Sequence, residues 1–500
     1  MVPSPAPRSA LAALSAVALA SFLATAAFAA PVGTVAPNDA DQPGRAPATW
    51  RMDYYHTGGL GSEVFSLDRV VVEPLPWPGS PSGDVDPSDS GAYRFQVRNA
   101  AGDLVFQRGF SSIFGEWETT AEAATRHRTF QESLRFPAPR AEGSALTIEV
   151  DKRGGDGAFA RVWRFTLDPK DMFVDPSPPP KQELLEIEHH GDPSEKVDLL
   201  LLGDGYTASE CRKKFPADAH HLAEVLFAHE PFHHRRSDFN VWGICPPATE
   251  SGISRPSTRV HHRSPLGATY DAFGSERYVL TFDNRAWRDV AAWAPYEFVE
   301  ILANNDTYGG GGIYNLYSTV AVDSDWADYI FIHELGHQFA GLADEYYTSP
   351  VAYEPPAKIV EPWEPNVTAL LDPAHLKWGD LVTPGTPIPT PWPKEAYETA
   401  EKDFQARRKV IRAKNQPESV MSALFREEQA FASKLLGGAQ HAGQVGAFQG
   451  ANYDAKAFYR PQDDCIMFSR DDVPFCAVCQ RALERVIDLY SRAGGPAGRP

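Results

Sequence analysis

Side chains that alternate with period two in the first half, a Pro-rich break, and a strand–helix–strand pattern beyond it predict an α+β multidomain chain. The reading is an N-terminal antiparallel β-sandwich followed by an α/β domain. A length of 500 residues suits two or three folded units, because a single core stops growing at about 250–300 residues. With 43% hydrophobic and 23% charged residues the composition is globular. The 66 Asp and Glu against 47 Lys and Arg give a net charge of −19. Nucleic acid is excluded as a partner, since its binders carry a Lys/Arg footprint that displaces phosphate counterions. An anionic membrane surface fits no better.

Residues 1–29 read as a signal peptide: Arg8 precedes an Ala/Leu/Val/Phe run over 10–26, and Ala27-Phe28-Ala29 is a small-x-small cleavage site. The alternative is a membrane anchor, but the run is Ala-rich, carries Ser15, Ser21 and Thr25, and lacks charge on its far side. The expected mature protein is exported, secreted or periplasmic, with no stable membrane insertion. Residues 30–46, rich in Pro, Ala, Asp and Gly, read as a solvated leader. The sandwich is assigned to 47–167. Tyr93, Phe95 and Val97 alternate with Arg94, Gln96 and Arg98 before an Ala101-Gly102-Asp103 turn, and a second hairpin pairs Leu146, Ile148 and Val150 with Phe159, Trp163, Phe165 and Leu167. Residues 168–190, with Pro176, Pro178, Pro179 and Pro180, read as a stiff linker.

The second domain spans 191–495. A buried strand over 197–202, a helix over 210–227 and a strand over 239–244 form a βαβ unit. A helix is expected over 287–302, then a Gly-rich loop at 309–312 and a strand over 313–322, with Asp323, Ser324 and Asp325 as N-caps for the next helix. An insertion is placed at 349–440, irregular and Pro-rich to 393, with helices over 394–413 and 419–436, the first read as a charged, solvated face. Of the five cysteines, Cys211 and Cys245 are expected to pair across the βα unit in an oxidising compartment. Cys465, Cys476 and Cys479 form a separate late cluster.

Chemistry enters at His333-Glu334-Leu335-Gly336-His337. Imidazoles at i and i+4 leave a helix on one face and can reach one cation, and neutral imidazole nitrogen suits zinc. Glu334, about 100° around the helix from His333, can take the proton of a zinc-activated water. A catalytic zinc needs a third protein ligand. Gly341 can end the helix at positive φ and swing the chain back, which brings Asp344 to the metal, with Glu345 as the alternative ligand. The pairs His189-His190, His220-His221, His233-His234 and His261-His262 lack helical ligand spacing and read as surface or packing residues. No loop has a calcium spacing.

This arrangement resembles the metzincin group of zincins, with Gly341 and Asp344 each one residue later than that pattern places them. The resemblance implies a zincin-like α/β catalytic domain with one catalytic zinc, and a Met in a turn beneath the metal, here Met467. Tyr459 can donate its hydroxyl to a developing oxyanion or anchor a turn. Archaemetzincins have a related Cys-x-Met and CxxC arrangement holding a structural zinc, with a fourth Cys where this chain has Glu345. A disulfide plus one buried thiol is the reading adopted for Cys465, Cys476 and Cys479. More specifically, Gly203-Asp204-Gly205-Tyr206, Tyr308-Gly309-Gly310-Gly311, the run 333–347, Val445-Gly446-Ala447-Phe448 and Tyr459-Arg460-Pro461 with Cys465-x-Met467 resemble the immunoglobulin A peptidase family of bacterial zinc metallopeptidases. Asp53-Tyr54-Tyr55-His56-Thr57-Gly58 and 114–120 resemble that family's own sandwich domain. The resemblance covers nearly the whole mature chain. It implies a secreted zinc endopeptidase acting on a protein or peptide, in a family named for members that cut the immunoglobulin A heavy chain, although nothing here reads out a hinge sequence. The rival reading is a non-catalytic adhesin or glycoprotein-binding module with structural zinc, which would have no need of Glu334. A zinc hydrolase of non-peptide esters or amides is a third.

Overall fold

Apolar side chains facing one way along successive short strands need a second apolar face to cover them, and the N-terminal region supplies both faces. The computed structural model describes residues 46–138, 144–349 and 358–491. The expected signal peptide, 1–29, and all of the leader except residue 46 lie outside these. In chain order come β1 (Ala48–Gly59), β2 (Ser62–Pro76), β3 (Tyr93–Arg98), β4 (Leu104–Phe110), helix α1 (Ile113–Glu118), β5 (Arg128–Pro137), β6 (Leu146–Arg153), β7 (Phe159–Leu167) and β8 (Val174–Asp175). They make two four-stranded sheets, β5-β1-β2-β8 and β4-β3-β6-β7. Met52, Tyr54 and Leu134 of one meet Phe95, Val97, Phe106 and Ile148 of the other in a single core. Pairing is antiparallel apart from β8, which adds to β2 in parallel over two residues.

The second half is built on β9 (Leu185–Glu188), β10 (Val197–Asp204), α2 (Ala208–Leu226), β11 (Phe239–Ile244), the two-residue β12 (Ala268–Thr269) and β13 (Leu280–Thr281), α3 (Asn284–Ala291), β14 (Phe298–Ala303), β15 (Gly310–Ile313), β16 (Tyr317–Ala321) and α4 (Ala327–Ala340). A six-stranded sheet runs β15-β16-β14-β10-β11-β9. Its four inner strands are parallel and its two edges antiparallel. Every residue of β10, β11 and β14 is buried, as expected of strands covered on both faces. Thr207 and Glu210 close a capping box at the start of α2.

Three local expectations change. The helix read over 287–302 stops at Ala291, and Phe298–Ala303 is the central strand β14. Pro295 interrupts the helix, and a short buried apolar run looks alike in either state. The Gly-rich loop at 309–312 is an edge strand, and the strand expected over 313–322 begins only at Tyr317, after a turn at Asn315 with positive φ. Within the segment read as linker, β9 forms one edge of the main sheet.

The chain continues through α5 (Lys394–Ala413), α6 (Glu418–Gly437), the hairpin β17 (Phe448–Ala451) and β18 (Asp454–Arg460), and α7 (Ala477–Tyr490). Although α5 is highly charged, Tyr397, Glu401, Phe404, Arg408 and Ile411 form a buried stripe along it, so it is not simply a solvated face. Among the described residues no helix is long and apolar enough to cross a membrane.

The two halves share a core. Ile113, Phe114, Trp117 and Phe130 pack in one cluster with Leu200, Leu202, Trp242, Trp287 and Ile301. Arg51, fully buried, pairs with Asp53 at 2.8 Å and with Asp289 of α3, and Arg69 reaches Asp289 at 3.0 Å. Backbone links add to this: Ser111 N–H donates to Tyr314 C=O at 3.0 Å, and the Asn315 side chain donates to Gly109 C=O at 2.7 Å.

Candidate metal centre and cleft

Helix α4 carries the His333–His337 motif and is apolar on most of its circumference, because Ile330, Phe331, Ile332, Leu335 and Phe339 are all buried. It starts one residue after the expected caps: Trp326 occupies the cap position, and Ser324 accepts from the Trp326 N–H at 3.3 Å. It ends at Gly341, whose φ of 60° is the left-handed conformation that lets the chain reverse. On the sheet side, a Cβ at Gly310 would lie 2.5 Å from Ile330, and one at Gly312 would lie 2.3 Å from the Glu334 carbonyl oxygen. Only glycine lets β15 approach α4 this closely.

The reversal at Gly341 brings Asp344 back over the two histidines. His333 Nε2 and His337 Nε2 are 3.2 Å apart, and Asp344 Oδ1 lies 3.0 Å from the first and 3.3 Å from the second. These three atoms form one of the two groups of side chains among the described residues that could hold a metal ion. Each ring nitrogen facing away is engaged: His333 Nδ1 lies 3.0 Å from Ile466 C=O and His337 Nδ1 2.5 Å from Leu342 C=O. Those carbonyls place the proton on Nδ1 and turn the Nε2 lone pairs towards Asp344. Positive charge is favoured where the donors converge. Burial works against charging His337, yet the Asp344 carboxylate beside it pushes its pKa up to about 9. Burial likewise opposes ionising Asp344, but the two imidazoles hold its carboxyl well below the usual range.

Glu334 does not join this triangle. It lines the adjoining cleft with Arg277, Tyr329, Tyr346, Glu401 and Arg470. Burial pushes its carboxyl pKa up, and Asp344 adds to that while the histidines and Arg277 pull the other way. Met467 is fully buried, with its Sδ against Gly336 of α4, and its carbonyl accepts from Glu345 N–H at 2.8 Å. Tyr459 is placed elsewhere. Its backbone pairs with Thr368 and its hydroxyl lies 3.4 Å from the Gln449 amide, because alternation along β18 turns Phe458 and Arg460 inward and Tyr459 the other way.

The phenols at the site are ones that sequence reasoning missed. Tyr346 lies nearly parallel to the His333 ring with centroids 6.1 Å apart, and its hydroxyl accepts from Arg277 at 3.0 Å. Tyr453 donates its hydroxyl to Asp344 Oδ2. Asn452 and Tyr453 are the two loop residues of the β17–β18 hairpin and both have positive φ, a conformation in which a bulky aromatic is uncommon. Their N–H groups donate to Asp344 and Tyr346 carbonyls at 2.9 and 3.2 Å, so the turn is tied to the segment that carries Asp344. Neither this turn nor its partner was identified from the sequence.

Cys211 and Cys245 are disulfide-bonded. Cys465, Cys476 and Cys479 are all buried free thiols, so the disulfide expected within this trio is absent; they gather with Glu345 in the second group of side chains that could hold a metal ion. The strand expected over 313–322 is also differently placed. Its counterpart β15 is flanked by 277–279, with Val279 N–H donating to Gly310 C=O and Gly310 N–H to Arg277 C=O.

A family model described as IgA Peptidase M64 matches residues 185–487, and one described as Peptidase M64 N-terminus matches residues 45–164. Comparison with curated proteins found no match.

Proposed function

From the premise that the chain belongs to the IgA peptidase M64 family, and so acts on a protein or peptide, we propose that it is an exported zinc-dependent endopeptidase of zincin-like fold. In this reading His333, His337 and Asp344 hold the ion and Glu334 is the general base. The observation that carries it is the triangle of Nε2, Nε2 and Oδ1 at 3.0–3.3 Å. Tetrahedral ligands held at about 2.0–2.1 Å from zinc lie about 3.3–3.4 Å from one another, so the three donors fit one face of such a shell. The two Nε2 atoms and Oδ1 converge on one point where positive charge is favoured, which supports a cation between them.

Zinc bound there supplies Lewis acidity, polarising a carbonyl and making water nucleophilic near neutral pH. The chain's own residues do the rest. Glu334 sits at i+1 from His333 and faces the cleft; its raised pKa suits a group that takes a proton from water and returns it to the leaving amine. Tyr346, whose hydroxyl oxygen already accepts from Arg277, keeps its own O–H for donation to the carbonyl oxygen of the scissile bond. Tyr453 fixes Asp344 through its second oxygen. Export rests on residues 1–29.

The test is Glu334→Gln beside wild type, with metal content and casein cleavage measured on the same preparations. The variant is expected to retain its metal and lose turnover. Cleavage at the wild-type rate would defeat the assignment of the base.

A further inference from the structure

We propose that Cys465, Cys476, Cys479 and Glu345 form a second, closed zinc site that fixes the floor of the first. All four side chains are buried, at 0–3% exposure. Cys465 Sγ and Cys479 Sγ are 4.0 Å apart, and Glu345 Oε1 lies 3.3 Å from Cys479 Sγ and 3.8 Å from Cys476 Sγ. With metal–sulfur bonds of about 2.3 Å and metal–oxygen bonds of about 2.0–2.2 Å, tetrahedral edges are about 3.5–3.8 Å, so the four donors already stand near the corners of one shell. A disulfide between any two would instead require sulfurs about 2.05 Å apart and would leave a third thiol buried against a carboxylate.

Two independent observations point to an ion. Glu345 is fully buried; Asn366 donates to its Oε1 at 3.0 Å, but Oε2 has no hydrogen-bond partner among the described residues. The nearby guanidinium of Arg460 spends its Nη atoms on Gly450 and Asp463 carbonyls. A buried carboxylate left in this state is costly unless a cation sits beside it. Secondly, backbone N–H groups are aimed at sulfur: Cys476 N–H at Cys465 Sγ, 3.2 Å, and Cys479 N–H at Cys476 Sγ, 3.4 Å. Sulfur accepts well only as thiolate, the form in which it binds metal.

Loading one Zn²⁺ forms three sulfur–metal bonds and one oxygen–metal bond, and the displaced thiol protons pass to solvent; nothing is oxidised or reduced. Four protein ligands leave no open position, so the site is structural. It couples to the first through two short paths. Glu345 follows Asp344 directly, and Cys465 precedes Ile466, whose carbonyl orients His333.

Metal per chain is measured on the purified full-length protein, as wild type, as His333→Ala/His337→Ala and as Cys476→Ser/Cys479→Ser. The expected contents are about two, one and one. Cobalt-loaded His333→Ala/His337→Ala should keep a thiolate-to-cobalt charge-transfer band. Thiol titration of the unreduced, denatured chain with chelator should find all three late cysteines reactive. The inference falls if the histidine variant holds no ion, or if only one thiol titrates. Because that variant leaves the cysteines untouched, the outcome is independent of whether the cysteine variant folds and of whether the first site is catalytic.

Discussion

Gly312 offers a sharp test of how the motif helix is held. In Gly312→Ala the new methyl would stand 2.3 Å from the Glu334 carbonyl oxygen and 2.9 Å from His337 Cβ. Neither neighbour can swing aside, since one is a backbone oxygen and the other a Cβ fixed to the helix backbone. To restore ordinary contact, β15 and α4 must separate by about 1 Å, with an overpacking cost of about 1–3 kcal/mol. A shift of about 1 Å in catalytic groups costs on the order of 10²-fold in rate. The expected result is a lowered melting temperature and a kcat/KM on a peptide substrate reduced about 100-fold. Gly155→Ala, with nothing within 4 Å of its new Cβ, serves as control and should leave both unchanged. Wild-type stability together with wild-type kcat/KM in Gly312→Ala would refute the idea that glycine at this edge sets the position of Glu334 and His337.

Tyr453→Phe removes the hydroxyl that holds Asp344 Oδ2 and should weaken retention of the ion by about 10–100-fold, read by competition with a chelator; an unchanged competition curve would deny Tyr453 a positioning role. Glu401, buried in the stripe of α5 beside Glu428, has its pKa pushed up to about 7, by burial first and then by Glu428. Its folded pKa exceeds the unfolded one, so the unfolded chain releases this proton first and stability falls as pH rises from about 4.5 to 7, by up to about 3 kcal/mol. Glu401→Gln should therefore be more stable than wild type at pH 8 and converge with it towards pH 5; parallel denaturation midpoints across that range would contradict the shift.

What was legible in sequence was what the chain encodes locally. The histidine spacing, the stop at Gly341 and the alternation in β3, β6 and β7 each depend on residues within a few positions of one another. Residues 298–303 misled because a fully buried strand has no polar face to reveal its period. Residues 310–312 misled because three glycines signal a loop unless the helix they must approach is known. Tyr453 and the Ile466 carbonyl reach the site across 109 and 133 positions, and no local pattern marks such a partner. The inward face of α5 was hidden by charged residues, Glu401 and Arg408, that the fold buries.

The core shared by the two halves changes what deletion experiments can report. Cutting the chain between its two family matches would bare Leu200, Leu202, Trp242 and Trp287 to water and strand Asp289 without its arginines. Inactivity of such a fragment would record the collapse of that wall, whatever the N-terminal sheets do for substrate capture. Their own contribution is better sought from outside, at outward side chains such as Arg164 and Thr166 of β7, which can be exchanged while the wall stays intact.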